Sequence, residues 1–156
     1  MRKVWRSNLR DDLKRRLFIA TVESVLLYGA EAWTLTAQQE KALDGVYTRM
    51  LRLALNVSWR DHIRNVDLYA GLPKLSVKLR VKRMRLAGHC IRHAELSASK
   101  VILWEPKHGS RGRGRPRIVK MLKRDSGLDS IEELRTAMLD RPVWRCYIHG
   151  TRDGIG

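Results

Sequence analysis

Several things are scarce in this chain. Its 156 residues include one phenylalanine, two cysteines and four prolines, and acidic side chains are half as many as basic ones. Cys90 and Cys146 are too few for a disulfide framework, and a reducing compartment fits that usage. No apolar run approaches the roughly 20 residues that cross a bilayer. The opening Met1-Arg2-Lys3-Val4-Trp5-Arg6 is charged with no apolar stretch behind it, so no secretory signal is expected. No Ser-His-Asp order, glycine-rich nucleotide loop or glycosidase-like carboxylate pair stands out, and Gly112-x-Gly114 is too arginine-rich for a dinucleotide fingerprint. Hydrophobic residues nevertheless make up 44%, enough for a core in one domain or two small helical lobes.

Lys+Arg is 32 against 16 acids, a net charge of +16. Residues 1–73 hold 12 basic and 8 acidic side chains, net +4. Residues 74–124 hold 16 basic side chains against Glu95 and Glu105, net +14, and residues 125–156 are net −2. A surplus of this sign favours polyanions, nucleic acid ahead of an anionic membrane surface. A solvated helix face is the plainer reading of such a run.

Spacing predicts helices throughout. Leu9, Leu13, Leu17, Ala20, Ser24 and Tyr28 recur on one face of a helix over about 8–28, apolar almost all round from Phe18 to Tyr28 and closed by Gly29. Thr36-x-x-Gln39 reads as a capping box for a helix over 37–55, with Leu43, Val46, Tyr47, Met50 and Ala54 inward. Ser58-x-x-Asp61 starts a short helix from Trp59 to Ala70, and Leu72-Pro73 marks the lobe junction. A basic amphipathic helix follows over 77–92, its apolar stripe Leu75, Leu79, Leu86 and Cys90. Residues 94–104 are ambiguous, and 105–117 read as a disordered Arg/Gly loop. Beyond it, Ile118–Lys123 starts another amphipathic turn or two. Ser130-x-x-Glu133 caps the next helix, Pro142 opens a last one carrying Trp144 and Ile148, and 150–156 fray. The expected fold is all-α, with a helical lobe at 1–73 and a basic helical region at 74–149.

Two stretches carry the binding hypothesis. Lys74, Lys78, Arg80, Lys82, Arg83, Arg85 and Arg92 on the basic helix are placed to grip phosphates. Arg111, Arg113, Arg115 and Arg117 are the loop contacts. There Arg113-Gly114-Arg115-Pro116 resembles an AT-hook core, in which a flat Gly backbone seats two arginines in a narrow minor groove. Sequence-independent phosphate or RNA-backbone contact is the competing reading of that motif. The five tryptophans (5, 33, 59, 104 and 144) are available for base stacking, with Trp33 and Trp144 read as core. His89, His93, Cys146 and His149 are a weak zinc-ligand set, with Cys90 read as core. Asp11-Asp12 reads as first-turn helix acids, not as a polymerase metal pair. No cofactor is expected.

Four segments in order resemble the C-terminal part of a non-LTR (LINE-like) retrotransposon reverse transcriptase. They are Leu26-Leu27-Tyr28-Gly29-Ala30-Glu31-Ala32-Trp33; Arg85-Leu86-Ala87-Gly88-His89-Cys90-Ile91-Arg92-His93; Gly112-Arg113-Gly114-Arg115-Pro116; and Asp140-Arg141-Pro142-Val143-Trp144-Arg145. The resemblance covers about residues 5–148. It implies that 7–55 correspond to the helical thumb, and that the basic segment after it helps hold template RNA, primer or target DNA in a nuclear setting. Two family features are missing: the palm with its catalytic aspartates, and the upstream endonuclease. Where relatives carry a tryptophan shortly after Gly-Arg-Pro, this chain has Ile118-Val119-Lys120. The expectation is a non-catalytic nucleic-acid-binding fragment, truncated ahead of Met1, whose partners are RNA or DNA and a reverse-transcriptase palm it lacks. The alternative is a protein-interaction module or a non-functional translated remnant, with Phe18, Val22, Val25 and Leu26 exposed where a palm would sit.

Overall fold

The computed structural model describes residues 2–106 and 116–150. Its elements are helices joined by turns, with no strand among the described residues, so the fold is all-α. Arg111, Arg113, Arg115 and the tail beyond Gly150 lie outside the described residues. Two units emerge: Met1–Gly29 with Ala37–Lys78, and Ala30–Thr36 with Leu79–Gly156. The division therefore falls inside a helix and not at Leu72-Pro73. The reason is local. The Ser76 backbone N–H and hydroxyl donate to Asp44 at 2.8 and 2.7 Å, and Lys78 reaches Glu23, so the helix's first turn belongs with the residues before it.

In the first unit α1 is Arg2–Trp5, and α2 (Asp11–Phe18) continues through a π-helical turn, Ile19–Glu23, into α3 (Ser24–Leu26). The expected inner stripe is not the one buried. Leu9 and Leu13 are exposed, Tyr28 is 87% and Val25 77% exposed, and Lys14, Phe18, Glu23 and Leu27 face inward instead. The buried side is already one residue off in α2, where Lys14 and Phe18 face inward in place of Leu13 and Leu17, and the wider π turn shifts it further. That turn adds a residue to the repeat, so Glu23, five positions after Phe18, returns to the same side and later apolar residues rotate outward. Gly29, at φ +66°, ends the run in a conformation that side chains disfavour.

The second long helix, α4 (Ala37–Ala54), buries Tyr47, Leu51 and Ala54, with Leu43 and Met50 half-buried and Val46 exposed. The Ser58/Asp61 capping box forms, but on a single 3₁₀ turn, Trp59–Asp61. His62 in the left-handed region then separates it from α5 (Asn65–Tyr69), so the expected continuous helix is broken. Phe18, Tyr47 and Tyr69 pack ring against ring at the centre, with centroids 5.4 and 6.0 Å apart.

The basic helix α6 (Leu75–Arg92) opens in the first unit and provides the spine of the second, which adds α7 (Ser97–Val101), α8 (Ile118–Ser126), α9 (Ile131–Leu139) and α10 (Arg141–His149). Its core joins Met84, Ala87, Cys90 and Ile91 of α6 to Val119 and Leu122, Leu134 and Met138, and Trp144 and Ile148. Trp144 is 1% exposed, and its Nε1 donates to the Met84 carbonyl at 2.8 Å. Gly88 permits that approach: a Cβ there would stand 2.5 Å from the indole. Ser130 caps α9 through the Glu132 backbone N–H, and its hydroxyl donates to the Glu132 carboxylate; the reciprocal Glu133 bond of the expected capping box does not form. Asp140 caps α10, with Pro142 in its first turn.

Candidate nucleic-acid interface

The cations of α6 fall into two groups. Arg83 lies four residues after Leu79 and four before Ala87, on the buried side of the helix, and is 1% exposed. Its guanidinium grips Asp125 with two nitrogens, Nε at 2.9 Å. Lys78 donates to Glu23 Oε2 at 2.5 Å, and the Tyr47 hydroxyl donates to the same oxygen at 2.5 Å. Burial and that hydrogen bond push the Tyr47 phenol well above its ordinary range. These placements correct the sequence expectation. Arg83 is closed off from a phosphate, and Lys78 is committed to a carboxylate inside its own unit, because breaking either pair would strand a buried charge.

Arg80 donates to the carbonyls of Asp125 and Ile148, and Arg92 donates to the Met138 carbonyl at 2.7 Å. Both therefore serve as struts between helices. Lys82 is half-exposed, with Glu31 3.8 Å away. Lys74, in the first unit, is exposed with no acidic partner among the described residues. Arg85 is exposed, its Nη2 donating to His149 Nε2 at 3.4 Å. Arg117 is half-exposed and lies over the Trp104 ring, 5.3 Å from its centroid.

Counting by unit changes the charge picture. The first unit holds 14 basic and 7 acidic residues and the second 18 and 9, so the surplus is shared and not confined to one body. Both units keep cations that their acids leave over: in the first, Lys3, Arg16, Lys41, Arg49 and Lys74 are exposed with no acidic partner among the described residues, and the second has its own set. Arg85, Lys100, Lys120, Arg141 and Arg145 are exposed and have no acidic partner among the described residues. Sequence reasoning left Arg141 and Arg145 out of the binding set and took His149 only as a zinc candidate; the three recur every four residues and so share the solvent side of α10. That spacing was the available signal, hidden in a segment whose total charge is negative.

The four zinc-ligand candidates do not converge. His89 and His93 stack with rings 4.4 Å apart, but His93 Nδ1 donates to Glu95 Oε1 at 2.9 Å. Bonds from its own backbone and from His93 hold the Glu95 carboxyl below the usual range. His149 sits against Arg85, and no group of three or more His, Cys, Asp or Glu side chains among the described residues is placed to hold a metal. Cys90 is buried in the core, and burial raises its thiol pKa; Cys146 is exposed. No described helix is long and apolar enough to cross a membrane.

Neither a protein-family model nor a curated protein nor a solved structure matches the chain.

Proposed function

We propose that this chain binds nucleic acid without catalysing a reaction, as a segment akin to the thumb and post-thumb region of a non-LTR reverse transcriptase acting in the nucleus. The observation that carries the reading is the set of unneutralised cations on the second unit: Arg85, Lys100, Lys120, Arg141 and Arg145. The Arg111–Arg117 segment adds four more in sequence. Such charges meet phosphates by releasing condensed counterions, which needs no base recognition. The order of the four sequence segments described above supports the family assignment.

The test is fluorescence anisotropy with duplex DNA and with RNA over a salt series. With 6–10 phosphate contacts, affinity falls by about 10³–10⁵ between about 50 and 200 mM salt. The triple change Arg85→Ala, Arg141→Ala, Arg145→Ala lowers the salt slope by about 1 for each residue. Affinity that stays flat with salt, or a triple variant that titrates like the parent, rules the reading out.

A second reading rests on the first unit: of the four residues expected on an exposed apolar face only Val25 is exposed, Phe18 being buried and Val22 and Leu26 half-buried, but Tyr28, Leu53 and Val66 are each at least 70% exposed as well. Trp5, Phe18, Val22, Met50 and Leu53 also line an apolar cavity of about 340 Å³ there. Exposed apolar side chains of this kind suit a protein partner, here a reverse-transcriptase palm. Sedimentation showing a monomer at high concentration, with no association through this face, would count against it.

A further inference from the structure

We propose that Trp104 is a stacking platform for an unpaired base of single-stranded nucleic acid, with Arg117 as its companion for the adjoining phosphate. The inference rests on the nucleic-acid reading and adds a ligand class to it. Trp104 and Trp59 are the exposed tryptophans, at 58% and 76%, whereas Trp144 is sealed in the core. They differ in how they are held. The cation over Trp59 is Arg60, its own neighbour in sequence, on one 3₁₀ turn. The cation over Trp104 comes from thirteen residues away.

Both halves of that pair stand on fixed ground. Ile102 and Leu103, just before Trp104, are each 5% exposed, and Val119, two residues after Arg117, is 1% exposed; all three belong to one core cluster. Lys123 reaches Glu105 at 3.3 Å and ties the two stretches together a second time. The indole is therefore held out into water by buried neighbours, and little ordering is left to be lost when a base lands on it.

An exposed guanidinium on an indole is a weak contact, and a stacked base is a stronger one that tolerates any base because each has a π face. A base arriving from a single strand takes the ring and frees the guanidinium to meet the adjoining phosphate. Exposed Lys120, one turn further along α8, extends the same cationic track. A duplex keeps its bases stacked internally and does not offer this contact.

The experiment titrates the full chain, with the Trp104→Ala, Trp104→Phe and Arg117→Ala variants, against oligo(dT), oligo(rU) and an abasic oligomer of equal length. The parent is expected to favour the base-bearing strands over the abasic one. Trp104→Ala loses about 5- to 150-fold on a base-bearing strand and nothing on the abasic strand, and Trp104→Phe keeps most of the preference. Arg117→Ala weakens abasic and base-bearing strands alike. The dT and rU arms tell whether DNA or RNA supplies the base. A parent that binds all three equally, or a Trp104→Ala variant that keeps the preference, overturns the platform and leaves the phosphate reading standing. A parent that binds none of them overturns both.

Discussion

Arg83 and Arg85 are two residues apart on α6 and sit in opposite surroundings. One is wrapped in the core of its unit and gripped by Asp125; the other extends into water beside His149. Lys78 repeats the first pattern in the other unit, with Glu23 and Tyr47 closing over it. The inward cations are structural. Each is an ion whose removal from water is offset by a carboxylate already in place. The outward cations contribute little to holding the chain together, which leaves them available to an external anion. Charge counted along a sequence mixes the two kinds, and only position relative to the apolar stripe separates them.

The most severe way to break this comparison is to strip Arg83 of its partner. Asp125→Ala should cost about 3–5 kcal/mol in urea unfolding, because a buried guanidinium loses the carboxylate that offsets its charge. The joint change Arg83→Met, Asp125→Leu removes both charges and should recover most of that loss. A cost under about 1 kcal/mol for Asp125→Ala would place Arg83 among the outward cations after all.

A smaller effect comes with alkali. Burial chiefly, and the bond to Glu23, lift the Tyr47 pKa, and burial lifts that of Tyr69. The folded-state values therefore lie above the unfolded value of about 10. Stability from these phenols is full below that pH. It falls as pH rises beyond it, where the unfolded chain sheds the protons and the folded one does not. Melting temperatures followed from about pH 8 to 11 should decline more steeply for the parent than for Tyr47→Phe. Parallel curves would mean that the inward network around Glu23 does not hold the phenol neutral.

The least effect on stability belongs to the outward side. Arg85→Ala should leave unfolding within about 0.5 kcal/mol of the parent while still lowering nucleic-acid affinity. Equal and large losses in both measurements would erase the distinction between the two sides.

The all-α class and the main helices were legible because their apolar spacing is long and regular, as in α4 and α6. The burial of Arg83 was also legible: it lies in register with Leu79 and Ala87, and its charge alone argued for a surface role. The face of the first helical run was not: its buried side already runs through Lys14, whose charge argues for solvent, and the π turn after it leaves no mark in a pattern read at 3.6 residues per turn. Nor were Asp125 and Glu23 as acceptors, because their partners lie 42 and 55 positions away in the chain. Of the candidate site, Arg85 and Lys74 stand as exposed cations. Lys78 and Arg83 do not, and Arg141 and Arg145 entered only once α10 was placed.

Gly88 has a consequence for the outer surface as well as for the core. The gap between α6 and α10 is as narrow as a missing methyl group allows, and the indole fills it edge to backbone. One turn away, that same gap brings Arg85 within reach of His149. The outermost charges on these helices thus inherit their alignment from a residue that carries no side chain, and widening the seam there would pull the solvent-facing arginines out of step without altering any of them.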